Sequence, residues 1–168
     1  MVHLTRRSGS TSCLLLLLAT SCLYTFSGGG LPRHVKSAAV LPFDNETPAA
    51  ELPRELNDAL RKAFESRLGL RSASESRAQA LVRGTIVRYE TDVAVGYSAD
   101  PARASSARRS LSLTIDVTIV DQTNGRTLFE RKGLSATGEY AERNEAEGRR
   151  QAIQRLVNDI VEGAQSQW

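Results

Sequence analysis

Between Ser110 and Ile119 the chain alternates strictly. Leu111, Leu113, Ile115, Val117 and Ile119 are apolar, and Ser110, Ser112, Thr114, Asp116 and Thr118 are polar. A period of two belongs to a strand, whose successive side chains point to opposite faces of a sheet. One face of this strand must be buried and the other must not. A slip of one residue would exchange the two faces, so the pattern also pins the register. The chain is thereby committed to a sheet with one covered and one polar face, and it needs apolar elements to do the covering.

Two segments supply them. From Glu51 to Leu68, residues Leu52, Leu56, Ala59, Leu60, Ala63 and Phe64 recur at helical spacing and form one stripe. Pro53 is tolerated in a first turn, and Gly69 is suited to stop the helix. From Glu142 to Ala164, residues Ala146, Ile153, Leu156, Val157, Ile160, Val161 and Ala164 fall on one side, behind acidic residues that suit a helix N-terminus. Gly148 weakens the early part of that helix.

The remaining strands are read from flanking signals. Val35 to Phe43 is small and apolar and ends at Pro42, before the turn cluster Asp44 to Pro48. Leu81 to Val95 is a long strand with Gly84 as a bulge or close-packing point. Asn124-Gly125 marks a tight turn of the type I′ kind, and Thr127 to Tyr140 returns with Gly133 and Gly138 as bends. Gly96 to Ala107, polar and rich in Ser, Ala and Arg, is a hairpin tip long enough to suggest a function. The order β-α-β-β-β-α predicts an α+β two-layer sandwich: a four-stranded, mostly antiparallel or mixed sheet with both helices on one face. The first strand joins that sheet by a right-handed crossover through the first helix.

The N-terminus has a different logic. Arg6 and Arg7 precede the apolar run Leu14 to Ala19, and Ala19-Thr20-Ser21 lead to Cys22. That order reads as a secretory signal, and the run is far short of the ~20 apolar residues that span a bilayer. A cysteine directly after small residues looks like a bacterial lipobox, in which the thiol is lipidated and the chain is cut before it. The expected organisation is a lipoprotein signal over 1–21, a lipidated N-terminus and flexible tether over 22–34, and a single domain over 35–168. Removing the first 21 residues would leave 147 of the 168, enough for one compact core.

Composition then excludes much. Without Arg6 and Arg7, 20 basic residues face 19 acidic ones, so the high isoelectric point is no sign of nucleic-acid binding. Cys13 falls in the signal and Cys22 carries lipid, which leaves no disulfide. His34 is the one histidine beyond the signal, too few for a Cys/His zinc site or a Ser/His/Asp triad. Asp116 and Asp121 read as solvated acids on a strand face and at a turn rather than as a general acid/base pair. No catalytic residue, metal ligand or cofactor is expected. The basic side chains remain. Arg103, Arg108 and Arg109 gather at the long loop, while Arg88, Arg126, Arg131 and Lys132 lie on or near the sheet. Arginine forks bind phosphates bidentately, so such a cluster fits an anionic amphiphile; the alternative is a solvated rim.

Several stretches carry a resemblance. Cys22-Leu23-Tyr24-Thr25-Phe26, the lead-in Leu31-Pro32-Arg33-His34-Val35-Lys36 and the strand end Pro42-Phe43-Asp44-Asn45-Glu46-Thr47 resemble the LPS-assembly lipoprotein family LptE. Leu52, Leu56 and Ala59 fit that family's next helix, and Ala80 to Ile86 looks like its second-strand opening. The resemblance implies a lipid-anchored protein on the periplasmic side of the outer membrane. It would plug and help assemble an LptD-like β-barrel and bind lipopolysaccharide, without turnover. Under it, Cys22 is the lipidation site, and Arg103, Arg108, Arg109, Arg88 and Lys132 are the candidate lipopolysaccharide contacts. The alternative is a regulatory lipoprotein that resembles cell-wall-synthase activators or curli-secretion lipoproteins. Those share a similar first strand but tend to continue with a second β-α unit, where this chain offers three strands in succession.

Overall fold

The computed structural model describes residues 31–94, 108–141 and 144–166. The expected signal, the expected lipidation site Cys22, most of the expected tether, the stretch Gly96 to Ala107 with Arg103, and Trp168 lie outside the described residues.

The chain folds as a six-stranded mixed sheet and two helices. In chain order these are β1 (Ser37–Val40), β2 (Asp44–Asn45), α1 (Leu52–Leu68), β3 (Arg71–Ser72), a 3₁₀ turn (Glu75–Arg77), β4 (Ala80–Ala94), β5 (Arg108–Asp121), β6 (Arg126–Ala141) and α2 (Glu145–Ser166). The sheet runs β3-β1-β4-β5-β6, with β2 also paired to β4. β1, β2 and β3 pair in parallel, whereas β4, β5 and β6 form an antiparallel meander. The α+β two-layer reading holds, with six strands in place of the expected four.

The two extra strands have physical causes. Val35 to Phe43 does not run as one strand. The Leu41 amide still donates to Val82 at 2.9 Å, but Pro42 has no amide to continue the ladder. Pairing with β4 resumes only at Asp44, inside the expected turn cluster. The other strand, β3, is two residues long and pairs with β1 just after Gly69, whose φ of 64° ends α1 in a left-handed cap.

β5 is the strand the alternation predicts. Leu111, Leu113, Ile115, Val117 and Ile119 are buried beneath the helices, each contributing about 1.5–3 kcal/mol of apolar transfer. On α1 the stripe Leu52, Leu56, Leu60, Ala63 and Phe64 is buried, and on α2 Ala152, Ile153, Leu156, Val157, Ile160, Val161 and Ala164 are buried. Ala146, placed on that side by the sequence, is exposed; Gly148 is buried instead.

The glycines explain how tightly the layers meet. A Cβ on Gly138 would lie 1.8 Å from the Gly148 carbonyl oxygen, so a strand and a helix touch backbone to backbone there. Gly138 is therefore a point of close approach and not the expected bend, and Gly148 serves the packing at some cost in helix propensity. Gly84 is a close-packing point: its missing side chain is replaced by the Phe43 ring, 2.4 Å from where a Cβ would sit. Gly133 does bend the chain. It has φ 64° inside a bulge between Arg131 and Leu134 and donates its amide to Asp116 at 2.6 Å.

The β5–β6 connection also differs from the expected two-residue turn. Asp121 pairs with Arg126 across a four-residue loop, and the Gly125 amide donates to the Asp121 carbonyl at 2.8 Å. The reason is Asp121 itself, which is fully buried rather than solvated. Its carboxylate accepts from the Thr123 amide at 2.8 Å and lies 2.6 Å from His34 Nε2, which fixes a wider loop than Asn124-Gly125 alone would choose.

Candidate functional site

The face of the sheet away from the helices is the principal exposed surface. Strand register assembles it: Arg83 pairs with Thr118, Thr85 with Asp116, Arg88 with Thr114 and Glu90 with Ser112. Ser112, Thr114 and Thr118 in turn face Thr137, Ser135 and Glu130 on β6. The hydroxyls bond sideways, with Ser135 3.2 Å from Ser112 and 3.1 Å from Thr114. Arg88 pairs loosely with Glu90 at 3.6 Å, both well exposed. Toward β2 the face dips into an open depression of about 410 Å³ lined by residues that include Pro42, Asp44, Arg83 and Asp116. This surface offers many donors and acceptors on a rigid support. It suits broad polar contact better than the enclosure of a small substrate.

The structure spreads the sequence-predicted contacts apart. Arg103 lies outside the described residues, and Arg108 opens β5. Arg109 pairs with Ala94 and Tyr140, shares strand parity with Leu111, and is half-buried and engaged in a contact. Arg88 is exposed on the polar face opposite Thr114, five residues along β5 from Arg109, or ~17 Å. Lys132 is exposed in the β6 bulge, farther from Arg109 still. Arg108 and Arg109 are neighbours at one end of the meander, whereas Arg88 and Lys132 sit away from them.

Two polar clusters escape a reading by sequence alone. Arg149 on α2 is largely buried and gathers three carboxylates. It donates to Glu55 through Nε at 2.9 Å, meets Glu51 at 3.0 Å and Glu145 at 3.5 Å. Tyr89 of β4 donates to Glu145 at 2.5 Å. The bond to Glu55 pushes the Arg149 guanidinium still higher, against the opposing effect of burial. Burial, then the bond to the Glu145 carboxylate, raises the Tyr89 hydroxyl far above its ordinary value. The cluster ties α1, α2 and β4 together in fixed charge states. In the sequence, only the Glu145–Arg149 spacing of four hints at it.

The second cluster is His34 with Asp121. Burial works to raise the Asp121 carboxyl, but the Thr123 amide and the His34 ring outweigh it and hold the carboxyl below its ordinary range. His34 stands in the stretch that carries the family resemblance, yet its partner is 87 residues away. Among the described residues no group of three or more His, Cys, Asp or Glu is placed to hold a metal ion. No helix among them is long and apolar enough to cross a membrane.

Fold and surface together define a class: a two-layer α+β body with one sheet face given to the core and the other open and polar. The sequence model of the family LptE, described as lipopolysaccharide-assembly, matches residues 35–163, more than half of the chain. The protein belongs to the LptE lipopolysaccharide-assembly family. Comparison with curated protein sequences finds no match. Among solved structures, it is similar to a single-substitution variant of the PelC dodecamer from Paraburkholderia phytofirmans, at 16% identity and TM-score 0.50, covering 83% of this chain and 95% of that one. It is also similar to the hypothetical protein CT253 from Chlamydia trachomatis, at 15% identity and TM-score 0.51, covering 75% and 93%. At these identities the likeness is one of fold.

Proposed function

We propose that this chain is a lipid-anchored outer-membrane protein that seats in the lumen of an LptD-like β-barrel, assists its assembly and binds lipopolysaccharide. Its work is binding and plugging, without turnover. The observation that carries the reading is the open sheet face, a rigid polar surface on a body of the lipopolysaccharide-assembly family. A plug in a water-lined barrel needs that combination: a stable core, an outer surface of hydroxyls and charges, and a tether. The succession β4-β5-β6-α2 also departs from the further β-α unit of the regulatory lipoproteins.

In this reading Cys22 carries the lipid. Two or more acyl chains, at about 0.8 kcal/mol per buried CH₂, hold the chain at the membrane. Arg108 and Arg109 at the end of the meander, Arg103 a few residues before them in the sequence, and Arg88 and Lys132 on the sheet meet lipid A phosphates through charge-assisted hydrogen bonds. Those contacts weaken with salt, because exposed charges are screened within ~8–10 Å. Copurification from the native membrane tests the plug: the chain is expected to come out with a large outer-membrane barrel. Replacing Arg103, Arg108 and Arg109 together by glutamate is expected to lower lipopolysaccharide binding. Since Arg109 is half-buried and engaged in a contact, the pair Arg103→Glu/Arg108→Glu is expected to lower it with the unfolding midpoint in place. A chain that neither copurifies with a barrel nor binds lipopolysaccharide at low salt overturns the proposal and favours the regulatory class. Mass spectrometry of the mature N-terminus checks Cys22 separately.

A further inference from the structure

The end of the sheet where the chain enters β1 carries an excess of cations that the polar face does not use. Arg33, Lys36, Arg71, Arg77 and Arg126 are all exposed there. Backbone bonds set them side by side. The Arg71 amide donates to the Lys36 carbonyl at 3.0 Å, the Lys36 amide to the Gln79 side chain at 2.7 Å, and the Gln122 amide to the Gln79 carbonyl at 2.8 Å. Arg126 follows across the β5–β6 loop, so the row runs the width of five strands, ~20 Å.

Little opposes this charge. Arg33, Lys36 and Arg71 have no side-chain partner among the described residues, and Arg77 donates only to the Ser74 hydroxyl at 3.0 Å. Of the nearby acids, Asp121 is buried against His34, while Glu65, which accepts from the Ser72 hydroxyl, and Glu75 are exposed, two carboxylates against the row of cations. The far end is different. There Arg149 is enclosed by three carboxylates and Arg150 is paired with Glu147. Around the N-terminus of α2 the cations are matched or outnumbered by carboxylates, whereas at the β1 entry Arg33, Lys36 and Arg71 are not, and Arg126 beside them is engaged in a contact.

The open end is also where the chain arrives. Leu31 packs on the core, the Val35 amide donates to the Pro32 carbonyl at 2.8 Å, and His34 is held by Asp121. The incoming segment is thus fastened to this end. Eight residues separate Cys22 from Leu31, which reach at most ~30 Å. We propose that this basic end is a membrane-facing surface that rests on an anionic phospholipid headgroup layer and orients the body on its tether. The proposal builds on the reading of Cys22 as a lipid anchor. It assigns a surface distinct from the sheet face and from the meander end offered to lipopolysaccharide.

The test uses the full lipidated chain reconstituted on vesicles of phosphatidylcholine, with or without phosphatidylglycerol. A reporter thiol is introduced by Ser76→Cys at the basic end or by Asn144→Cys at the other, and its labelling by a membrane-impermeant maleimide is timed. At low salt, labelling at position 76 is expected to slow about threefold or more on the anionic vesicles, with no change at position 144. High salt, and the variant Arg33→Glu/Lys36→Glu/Arg71→Glu/Arg77→Glu, are each expected to restore the rate. Equal rates at position 76 on both vesicle types overturn the proposal, and so does protection that needs lipopolysaccharide in the vesicle. A chain that fails to float with neutral vesicles overturns the anchor reading instead. In that case salt-sensitive flotation with anionic vesicles sustains the basic surface, and its absence overturns it.

Discussion

The two faces of β5 are built from alternate residues of one strand, yet they have opposite fates. Ile115 is fully buried among helix side chains, while Thr114 beside it reaches across to Ser135 on an open surface. The apolar residues that build the core lie on one side, which leaves most of the other free to be shaped for contact, Asp116 with its bond to the Gly133 amide excepted. The contrast predicts unequal sensitivity to substitution, and the largest effect belongs to the covered face. Ile115→Ala is expected to cost about 2–5 kcal/mol, read as a lower denaturation midpoint at unchanged slope. A midpoint that does not move would mean that this face is not the core.

A second test adds volume to the same side instead of removing it. Gly138→Ala would place a Cβ 1.8 Å from a helix backbone oxygen, which no side-chain rearrangement relieves. The helix must shift, and a cost of about 1–3 kcal/mol is expected. Calorimetric unfolding checks it. A neutral result would show that strand and helix stand farther apart than described.

A third test works at the junction of the faces, where Asp121 is buried at the end of β5. Its carboxyl is held below the ordinary value, so the unfolded chain takes up the proton first as pH falls. Asp121 therefore adds stability above the unfolded value near 3.9, and that contribution is lost as pH drops through the lower folded value. Asp121→Asn is expected to lose about 1–2 kcal/mol at pH 7, with the difference from the parent closing below about pH 4. Denaturation at pH 7 and at pH 3 gives both numbers. A gap that persists unchanged into acid would show that the carboxylate charge is not what matters.

These effects also mark what was legible in the sequence. The meander, both helices and the buried set of β5 follow from periodicity, a local property repeated often enough to outweigh exceptions. The family was legible in the stretch from Leu31 to Thr47, and the family match over 35–163 bears it out. The division into β1 and β2 was less visible, because a missing amide at Pro42 interrupts pairing without interrupting hydrophobicity. β3 is too short to have a period at all. Asp121 was misread because burial of an acid depends on its partner, here a histidine 87 residues earlier. Arg149 was missed for the same reason: two of its three carboxylates, Glu51 and Glu55, come from the start of the other helix and the residue before it. Arg108 and Arg109 stand side by side as chain neighbours must, whereas the distance from them to Arg88 and Lys132 is set by strand register, which the sequence does not show.

The smallest effect completes the contrast between the faces. Thr114→Ala removes a hydroxyl that bonds to Ser135 at 3.1 Å on the open side. Its partner stays in reach of water and of the Ser112 hydroxyl, so no buried donor or acceptor is orphaned. The backbone ladder between β4, β5 and β6 is untouched, and alanine fits the pleat. A change within about 0.5 kcal/mol is expected, roughly a quarter or less of the effect one residue along. The same denaturation series that measures Ile115→Ala checks it. A loss above about 1 kcal/mol at position 114 would mean that the open face takes part in the fold itself. It would then no longer be a surface free to meet a partner.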